Sequence, residues 1–421
     1  MSGGPHPMPE RRTIMTQVNL GSIHAYGVER ILDHLQATAG VNAVRIHADD
    51  RIVRFAHLHG DDDQAPAWNL CGVPMRHRGI GRLASQPYCA VLEPQERERL
   101  LLDLRRSLDA RGMTLHLRGI WGYDDARPGY SGAMMVDAWG RTLRVPCWTN
   151  PAMRDLLRQV GEDAFRRGPI AIDGYTHMAE YGGAWAGALS GGHGIGACFC
   201  PSCCEAGHRL GLDVAAARAG WRELEGPEAL AAAGSGGIHV WLARHPMVLA
   251  WDALMGESFR EALAVISGVA RLCHPQAEIG VHVLHTASWN AVQRESVYAP
   301  AALAPIVDSV HPLLYTRLSG HRIQGSVRRF QRLFLPHLSL DQVWPQFLDW
   351  NGIPSATQPP WSAIVDGADL DADYVGAVSA AWRRDLPSRV RVIANVGWED
   401  EWSEAPTDPR ATATYASVRE D

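Results

Sequence analysis

Residues 170–183 read IAIDGYTHMAEYGG, and CFCPSCC follows at 198–204 after a glycine-rich connection. The first segment predicts a buried strand with a carboxylate at its carboxyl end, because its apolar residues form a short continuous run. The second segment places several cysteines within one turn of chain, which is typical of a metal site. We therefore expect the stretch from Ile170 to Cys204 to form one edge of an active site that is braced by a metal ion.

Predicted strands alternate with amphipathic helices on both sides of this stretch. Seven strands are predicted in chain order: MTQVNL, AVRIHA, MTLHLRGIWG, IAIDGY, AEIGVHVLH, SVHPLLY and RVRVIANVGWED. A strand, a helix and another strand of this length form a βαβ unit, which favours parallel pairing. The pattern predicts an α/β fold, a (β/α)8 TIM barrel that is incomplete at the eighth strand, since no strand-like run follows Trp402.

The barrel is expected to form a single domain over residues 13–421, after a disordered leader at residues 1–12. Long loops are predicted where Gly, Pro, Trp or charged residues show no regular period, at 54–93, 126–146 and 336–370. Asn150-Pro151 predicts the start of the helix before the fourth strand, with Asn150 as its N-cap. A zinc-binding insertion is expected around residues 183–210.

The composition excludes several kinds of chemistry. The chain has 421 residues and a formal net charge of -6, and all 40 of its Lys and Arg residues are Arg. Without a lysine amine, it cannot act as a Schiff-base aldolase, a pyridoxal-phosphate enzyme or a P-loop nucleotide enzyme. No basic stripe and no apolar run of membrane-spanning length occur. We therefore expect a cytoplasmic protein with neither a nucleic-acid nor a membrane partner.

Cys198, Cys200 and Cys203 predict a metal-binding loop. Clustered cysteines in a cytosolic chain are more often metal ligands than disulfide partners, and tetrahedral sulfur coordination suits Zn²⁺. A fourth ligand must come from elsewhere, because adjacent Cys203 and Cys204 would have difficulty binding one ion together. Cys147 is favoured as a distant sulfur that precedes a predicted helix. The candidates for the fourth ligand are Cys147, Cys204, His193, His208, Cys71 and Cys89.

Three segments, PCWTNPAMRDLLRQV at 146–160, AIDGYTHMAEYGG at 171–183 and CFCPSC at 198–203, resemble the β-galactosidases of glycoside hydrolase family 42. The resemblance implies a barrel with two catalytic glutamates, a carbohydrate substrate and a homo-oligomer, specifically a trimer. It implies a structural zinc ion with four ligands: Cys147, Cys198, Cys200 and Cys203. It also places Glu180 of the Glu-Tyr-Gly motif at the position of the family's catalytic acid/base.

One position departs from the family's pattern. The family has an asparagine before the acid/base glutamate, where it contacts the 2-hydroxyl of the sugar, and this chain has Ala179. Such a hydrogen bond strengthens in the transition state of glycoside hydrolysis. Either the substrate is held differently in this protein or its activity has drifted.

A retaining glycosidase needs a second carboxylate opposite Glu180. Glu399, near the end of the seventh predicted strand, is the predicted nucleophile, and Asp400 is the alternative. A solvated acidic loop is the non-functional interpretation of both. Residues expected to contact the sugar are polar or aromatic and lie near predicted strand ends: Asp173, His282, Trp289, Tyr315 and Trp398. Asp173 is also a rival candidate for a catalytic role.

These residues leave three hypotheses for the function. The first is retaining hydrolysis of a small glycoside or oligosaccharide by two carboxylates. The second is a metal-dependent hydrolase or isomerase whose ligands come from histidines near strand ends: His24, His47, His116, His177, His282, His285 and His311. The third is a catalytically inactive carbohydrate-binding barrel, which Ala179 and the missing eighth strand suggest.

Overall fold

The structure, a computed structural model, describes residues 13–18, 23–24, 26–47, 94–120, 134–166, 171–178, 197–225, 237–283, 288–290, 294–314, 316 and 319–396. Its strands are β1 (Met15–Gln17), β2 (Ala43–His47), β3 (Thr114–Ile120), β4 (Met134–Val136), β5 (Thr142–Pro146), β6 (Gly174–Met178), β7 (Glu278–Val283), β8 (Ser309–Pro312) and β9 (Arg391–Val392). Seven of them form one sheet in the order β1-β2-β3-β6-β7-β8-β9, and β4 pairs with β5 in a separate antiparallel hairpin.

The helices lie mainly in the connections between the parallel strands. They are α1 (Val28–Ala39), α2 (Pro94–Ala110), α3 (Pro151–Arg166), α4 (Pro201–Arg209), α5 (Val214–Glu225), α6 (Gly237–Arg244), α7 (Pro246–Cys273), α8 (Pro300–Leu303), α9 (Ser319–Phe334), α10 (Leu340–Trp350), α11 (Trp361–Val365) and α12 (Asp373–Asp385). A π-helical turn at Arg294–Tyr298 and a 3-10 turn at Ser355–Thr357 complete the regular elements. None of the described helices is both long enough and apolar enough to cross a membrane.

The large sheet is parallel throughout and curls around a common interior. Arg45 on β2 donates to Asn395 at 2.9 Å and contacts His311 on β8 at 3.4 Å, so its side chain crosses the interior between non-neighbouring strands. The predicted fold is confirmed as an incomplete (β/α)8 barrel. Its seven parallel strands follow the predicted order, and no eighth parallel strand occurs within the described ranges. Residues 397–421 lie outside those ranges.

The barrel interior carries polar groups where branched aliphatic side chains usually fill such a barrel. His116 and His311 are both buried. A Cβ at Gly174 would lie 2.1 Å from the His116 ring, and a Cβ at Gly280 would lie 2.6 Å from the His311 ring. Glycine is therefore required beside each ring, because any side chain at these two positions would occupy the same space.

A repeated device closes the amino-terminal end of the sheet, which we call the amino rim. The residue directly before each of three strands, β2, β6 and β8, bonds to both neighbouring strands. Its side-chain oxygen accepts a peptide N–H at or next to the start of the neighbour on one side, β1, β3 or β7, at 2.8, 2.8 and 2.9 Å. Its carbonyl oxygen accepts the first N–H of the neighbour on the other side, β3, β7 or β9, at 3.0, 2.9 and 2.9 Å. The residues that share this arrangement are Asn42, Asp173 and Asp308. Each one therefore links three neighbouring strands.

The position of the fourth barrel strand differs from the prediction. IAIDGY was expected to form it, but the strand is β6, Gly174–Met178, and Asp173 comes before it. The lumen-facing residues of this strand include a glycine and a threonine, so the strand has no apolar run on that side to mark it. Asp173 therefore lies at the amino end of the strand and not at its carboxyl end.

Two predicted loops contain regular structure. Part of the predicted loop at 126–146 forms the β4–β5 hairpin, and part of 336–370 forms α10 and α11. Helix α10 begins with a capping box, because Ser339 accepts from the N–H of Gln342 and the Gln342 side chain accepts from the N–H of Ser339. The predicted N-cap at Asn150 is confirmed, since its Oδ1 accepts the Ala152 N–H at 2.9 Å. The predicted loop at 54–93 and the leader at 1–12 lie outside the described residues.

Candidate metal centre and active-site face

Four buried cysteines converge at one point: Cys147, Cys198, Cys200 and Cys203. Their Sγ atoms all lie within 4.8 Å of one another, and Cys147 Sγ is 3.4 Å from both Cys200 Sγ and Cys203 Sγ. A tetrahedral zinc ion with Zn–S bonds of about 2.3 Å would separate its sulfur ligands by about 3.8 Å. The four thiols therefore fit a single tetrahedral metal ion without rearrangement of the backbone.

Two separate connections bring these sulfurs together. Cys147 directly follows β5 and so belongs to the connection between β3 and α3. Cys198 and Cys200 precede α4, and Cys203 lies in its first turn. In a parallel barrel both connections start from the carboxyl ends of strands. The cluster therefore joins the connection after β3 to the connection after β6 on the same face of the barrel.

Two peptide N–H groups point to one sulfur of the cluster, and the four thiols form hydrogen bonds with one another. The peptide N–H groups of Val136 and Cys200 point to Cys198 Sγ at 3.4 and 3.5 Å, which would stabilise negative charge on that sulfur. Hydrogen bonds among the thiols, that of Cys147 first, lower the pKa of Cys200 and raise the pKa of Cys203. A bound divalent metal ion would let all four thiols ionise.

The alternative fourth ligands are separated from the cluster or lie outside the described residues. Cys204 Sγ donates to the Phe199 carbonyl oxygen at 3.3 Å, and burial raises the pKa of its thiol. His208 lies on α4 with its side chain exposed to solvent. Cys71, Cys89 and His193 fall outside the described ranges. Cys147 is the fourth cysteine of the cluster, with its Sγ within 4.8 Å of the other three sulfurs, and its role as a metal ligand remains a prediction.

An aromatic stack with helix α7 supports the cysteine loop. The Phe199 ring, between Cys198 and Cys200, stacks on Trp251 of α7 with centroids 4.8 Å apart and an interplanar angle of 7°. Trp251 Nε1 also donates to the Cys198 carbonyl oxygen at 3.2 Å. The Phe199 N–H in turn donates to the Val136 carbonyl oxygen at 2.6 Å. The loop is thus fixed both to the long helix and to the hairpin.

Two of the predicted sugar contacts have structural roles instead. Asp173 accepts the Leu115 N–H and forms an ion pair with Arg105 at the amino rim. Because barrel active sites lie at the opposite end, this position removes Asp173 from the site and corrects the prediction. Trp289 is only 1% exposed, and its ring packs edge to face on Phe347 with centroids 5.4 Å apart. A buried indole offers no free face to a sugar ring. Trp289 therefore packs in the core, and the prediction that it contacts the sugar is wrong.

The histidines divide into different environments. His311 Nδ1 lies 3.4 Å from an Arg45 nitrogen and its Nε2 lies 2.9 Å from Ser309 Oγ, so both ring nitrogens have neighbours in the interior. Burial lowers the pKa of His116 to about 4 and that of His177 to about 3, and holds that of His311 well below its usual range. These three rings are therefore neutral at pH 7. His282 is 2% exposed and pairs in register with His311.

One interior pair was missed at the sequence level. Arg118 on β3 donates to the side-chain oxygen of Gln17 on β1, across the intervening strand β2. Arg118 is 8% exposed and lies two positions nearer the carboxyl end of β3 than His116. The alternation of side chains along a strand could have placed Arg118 and His116 on one face, but only the sheet order pairs Arg118 with Gln17.

The remaining predicted site residues lie outside the described ranges. They are Glu180, Tyr315, Trp398, Glu399, Asp400 and His285. Glu180 follows Met178, the last residue of β6, by two positions in the sequence. Its assignment as acid/base, and that of Glu399 as nucleophile, remain predictions.

Comparisons with known proteins give distant structural likenesses. No family model matches the chain, and no curated protein does. The β-galactosidase of the Antarctic haloarchaeon Halorubrum lacusprofundi is 14% identical with a TM-score of 0.49, over 97% of this chain and 57% of that chain. The β-galactosidase of the psychrophilic Marinomonas ef1 is 10% identical with a TM-score of 0.47, over 97% of this chain and 59% of that one.

The β-galactosidase of Bacillus circulans sp. alkalophilus is 13% identical with a TM-score of 0.36, over 75% of this chain and 42% of that chain. The chain thus spans 57 and 59% of the length of the first two structures. At these values the comparisons assign neither a substrate nor a mechanism to this protein.

Proposed function

We propose that the chain is a glycoside hydrolase-like enzyme that cleaves a small glycoside or oligosaccharide with retention of configuration. The observation that carries this proposal is the convergence of Cys147 with the Cys-x-Cys-x-x-Cys loop. The same arrangement is implied by the resemblance to glycoside hydrolase family 42, in which a glutamate precedes the cysteine loop. In this chain Glu180 occupies that place in the sequence, between β6 and the cluster.

The proposed reaction uses two carboxyl groups in two steps. The Glu399 carboxylate attacks the anomeric carbon while the Glu180 carboxylic acid donates its proton to the leaving oxygen. A covalent glycosyl-enzyme forms and the aglycone leaves. Glu180, now ionised, then takes a proton from water, which attacks the same carbon and releases Glu399. Trp398 and Tyr315 are proposed to contact the sugar near Glu399, together with His282 at the lumen side of β7.

The proposed ion in the cysteine cluster is zinc, because four thiolates in a tetrahedral arrangement suit Zn²⁺. Four protein ligands leave no open coordination position, so the ion would brace the fold and take no part in bond cleavage. It would fix the connection after β3 to the connection after β6, and Glu180 belongs to the latter. The cysteine centre would in this way limit the movement of the proposed acid/base.

Hydrolysis of a panel of aryl glycosides tests the proposal. We expect turnover by the wild type and a loss of about 10²–10⁴-fold in the Glu180→Gln variant, because general acid–base groups contribute roughly that much. Glu399→Gln should be equally inactive. Glu401→Gln, in the same acidic run, is the matched control and should retain activity. A wild type with no turnover on any aryl glycoside would refute the proposal.

The other two hypotheses predict different results. A histidine-based metal enzyme would bind a second ion through His282 and His311, but His311 already has a partner at each ring nitrogen. Metal analysis that finds more than one ion per chain would favour that hypothesis. An inactive carbohydrate-binding barrel would bind sugars in calorimetry without turnover.

We also propose a cytoplasmic homotrimer, because the resemblance to glycoside hydrolase family 42 implies one. Sedimentation of the purified protein would test the trimer.

A further inference from the structure

Helix α5 directs two arginines, one helical turn apart, to the two loops that form the cysteine cluster. Arg218 Nη2 donates to the Phe199 carbonyl oxygen at 3.2 Å. Arg222 Nε donates to the Ala138 carbonyl oxygen at 2.7 Å. Phe199 lies within the cysteine loop, and Ala138 lies in the turn of the β4–β5 hairpin. One helix therefore contacts both halves of the cluster.

The two arginines differ in their surroundings. Arg218 is half-buried, its guanidinium lies 5.2 Å from the centroid of the Phe199 ring, and its Nη2 is 3.6 Å from Cys204 Sγ. Its Nε is buried with no hydrogen-bond partner in the part of the chain that the structure describes. Arg222 is exposed to solvent. Within the described residues Arg218 forms no ion pair, although a guanidinium removed from water is costly without a counter-charge.

The proposed metal centre carries negative charge that requires a positive counter-charge. A divalent ion bound by four thiolates carries a net charge of about −2 in a buried place. The N–H groups of Val136 and Cys200 offset part of that charge, but they are neutral dipoles. A cation close to the loop would offset it further. Arg218 lies against Phe199, the residue between two of the four cysteines.

We infer that Arg218 is the counter-ion of the metal–tetrathiolate centre and a positioning residue for its cysteine loop. This inference rests on the proposed zinc site. The guanidinium offsets the negative charge of the ionised thiols and, through the Phe199 carbonyl, fixes the Cys-x-Cys turn. Arg222 bonds to a carbonyl oxygen of the hairpin but is exposed to solvent, so it contributes little to the charge balance.

Zinc release from the purified full-length protein, followed with a chromophoric chelator, tests the inference. We expect Arg218→Gln to release zinc about 10- to 100-fold faster than wild type, the range by which outer partners usually alter metal affinity. Arg218→Lys keeps the charge and should stay within about threefold of wild type. Arg222→Gln is the matched control, because it also loses one bond to a carbonyl oxygen, and it should stay within about twofold. If Arg218→Gln does not fold, Arg218→Met, which keeps the packing on Phe199, takes its place.

Zinc content of the wild type is measured first, so the two possible failures are separate. A wild type that binds one zinc, with equal release from the Arg218→Gln and Arg222→Gln variants, would overturn the inference alone. Release from Arg218→Lys as fast as from Arg218→Gln would also overturn it, because packing and not charge would then matter. A wild type that binds no zinc would remove both the zinc site and this inference.

Discussion

The two ends of this barrel are stabilised in different ways. At the amino rim, the same arrangement occurs before β2, β6 and β8, and each copy joins neighbouring strands because one side-chain oxygen and one carbonyl oxygen accept peptide N–H groups. At the carboxyl face, a single cluster joins two long connections through side chains that are far apart in the sequence. The rim can thus lose one copy and keep the others, whereas the cluster depends on all four cysteines. The repeated bonds stabilise the fold, whereas the cysteine cluster is proposed to fix the connection that contains Glu180.

Loss of one cysteine ligand should give the largest effect. Cys147→Ala or Cys203→Ala should abolish zinc binding and destabilise the protein by at least about 4 kcal/mol, because loss of a structural metal is among the most damaging single changes. Metal analysis and thermal unfolding with and without a chelator would measure both effects. Cys204→Ala is the control, since that thiol bonds to Phe199 and lies outside the cluster. Zinc loss in Cys204→Ala would contradict the assignment of ligands.

Acid should destabilise the barrel through its buried histidines. Burial lowers the pKa of His116 to about 4 and that of His177 to about 3. Below pH 6.5 the unfolded chain binds protons that the folded chain does not, so stability is full above that pH and falls as the pH decreases. Each histidine should cost about 2 kcal/mol between pH 6.5 and pH 5. Urea unfolding at both pH values measures this loss.

The His177→Gln variant isolates one histidine from other acid-sensitive groups, including the cysteines. The His177 Nδ1 lies 3.1 Å from the Tyr175 hydroxyl, which a glutamine can also contact. The loss of unfolding free energy between pH 6.5 and pH 5 should be smaller in this variant by the contribution of one histidine, about 2 kcal/mol. An unchanged difference would show that His177 is protonated in the folded protein.

Removal of one copy of the rim device should have a moderate effect on stability and none on the carboxyl face. Asp308→Ala leaves the Ile279 N–H without its acceptor and should cost about 1–3 kcal/mol. Its ion pair with Arg271 is largely exposed and adds little. Asp308→Asn keeps an acceptor oxygen and should cost less. Chemical unfolding measures the cost, and zinc content should stay at the wild-type value. Zinc loss in Asp308→Ala would mean that the two ends are coupled.

A helix cap that belongs to neither the amino rim nor the cysteine cluster gives a reference value for these losses of stability. Ser339→Ala removes the side-chain acceptor for the Gln342 N–H at the start of α10. Loss of a helix N-cap costs about 1 kcal/mol, so this variant should be the least affected in unfolding experiments. A loss as large as that of Asp308→Ala would mean that the rim bonds contribute no more than an ordinary helix cap.

The order of strands and the cysteine loop were predictable because both depend on local patterns. Alternating strands and helices indicated the parallel barrel, and seven strands occur in the predicted order. The spacing of Cys198, Cys200 and Cys203 indicated a metal loop by itself. Cys147 is distant in the sequence, so its position before a predicted helix only favoured it among several candidates, and the resemblance to a known family then implied it as the fourth ligand.

The polar interior explains the main errors. Apolar runs in the sequence predict strands, but the interior of this barrel holds His116, His311 and Arg45. The IAI run before Asp173 was therefore mistaken for the strand, and Asp173 was placed at the wrong end. Trp289 is a candidate platform in the sequence because it is aromatic and lies near a predicted strand end, but the burial of a single tryptophan depends on tertiary packing that no local pattern reports.

The missed elements are short or interrupted. Strand β4 has only three residues, too few for an alternating pattern, and β5 pairs with it in a hairpin outside the parallel sheet. Helix α10 contains Pro345, which normally argues against a helix, although its capping box at Ser339 and Gln342 was visible in the sequence. Local caps were thus the better signal in this region than composition.

The stereochemistry of glycoside cleavage tests the central claim most directly. Proton NMR of the reaction with an aryl glycoside that the enzyme accepts identifies the anomer of the first sugar released, before it equilibrates. We predict the same anomer as in the substrate, because Glu180 and Glu399 would then stand about 5–5.5 Å apart and act as acid/base and nucleophile. Release of the opposite anomer would require about 6.5–9.5 Å between the two carboxyl groups and would contradict the proposed role of Glu399.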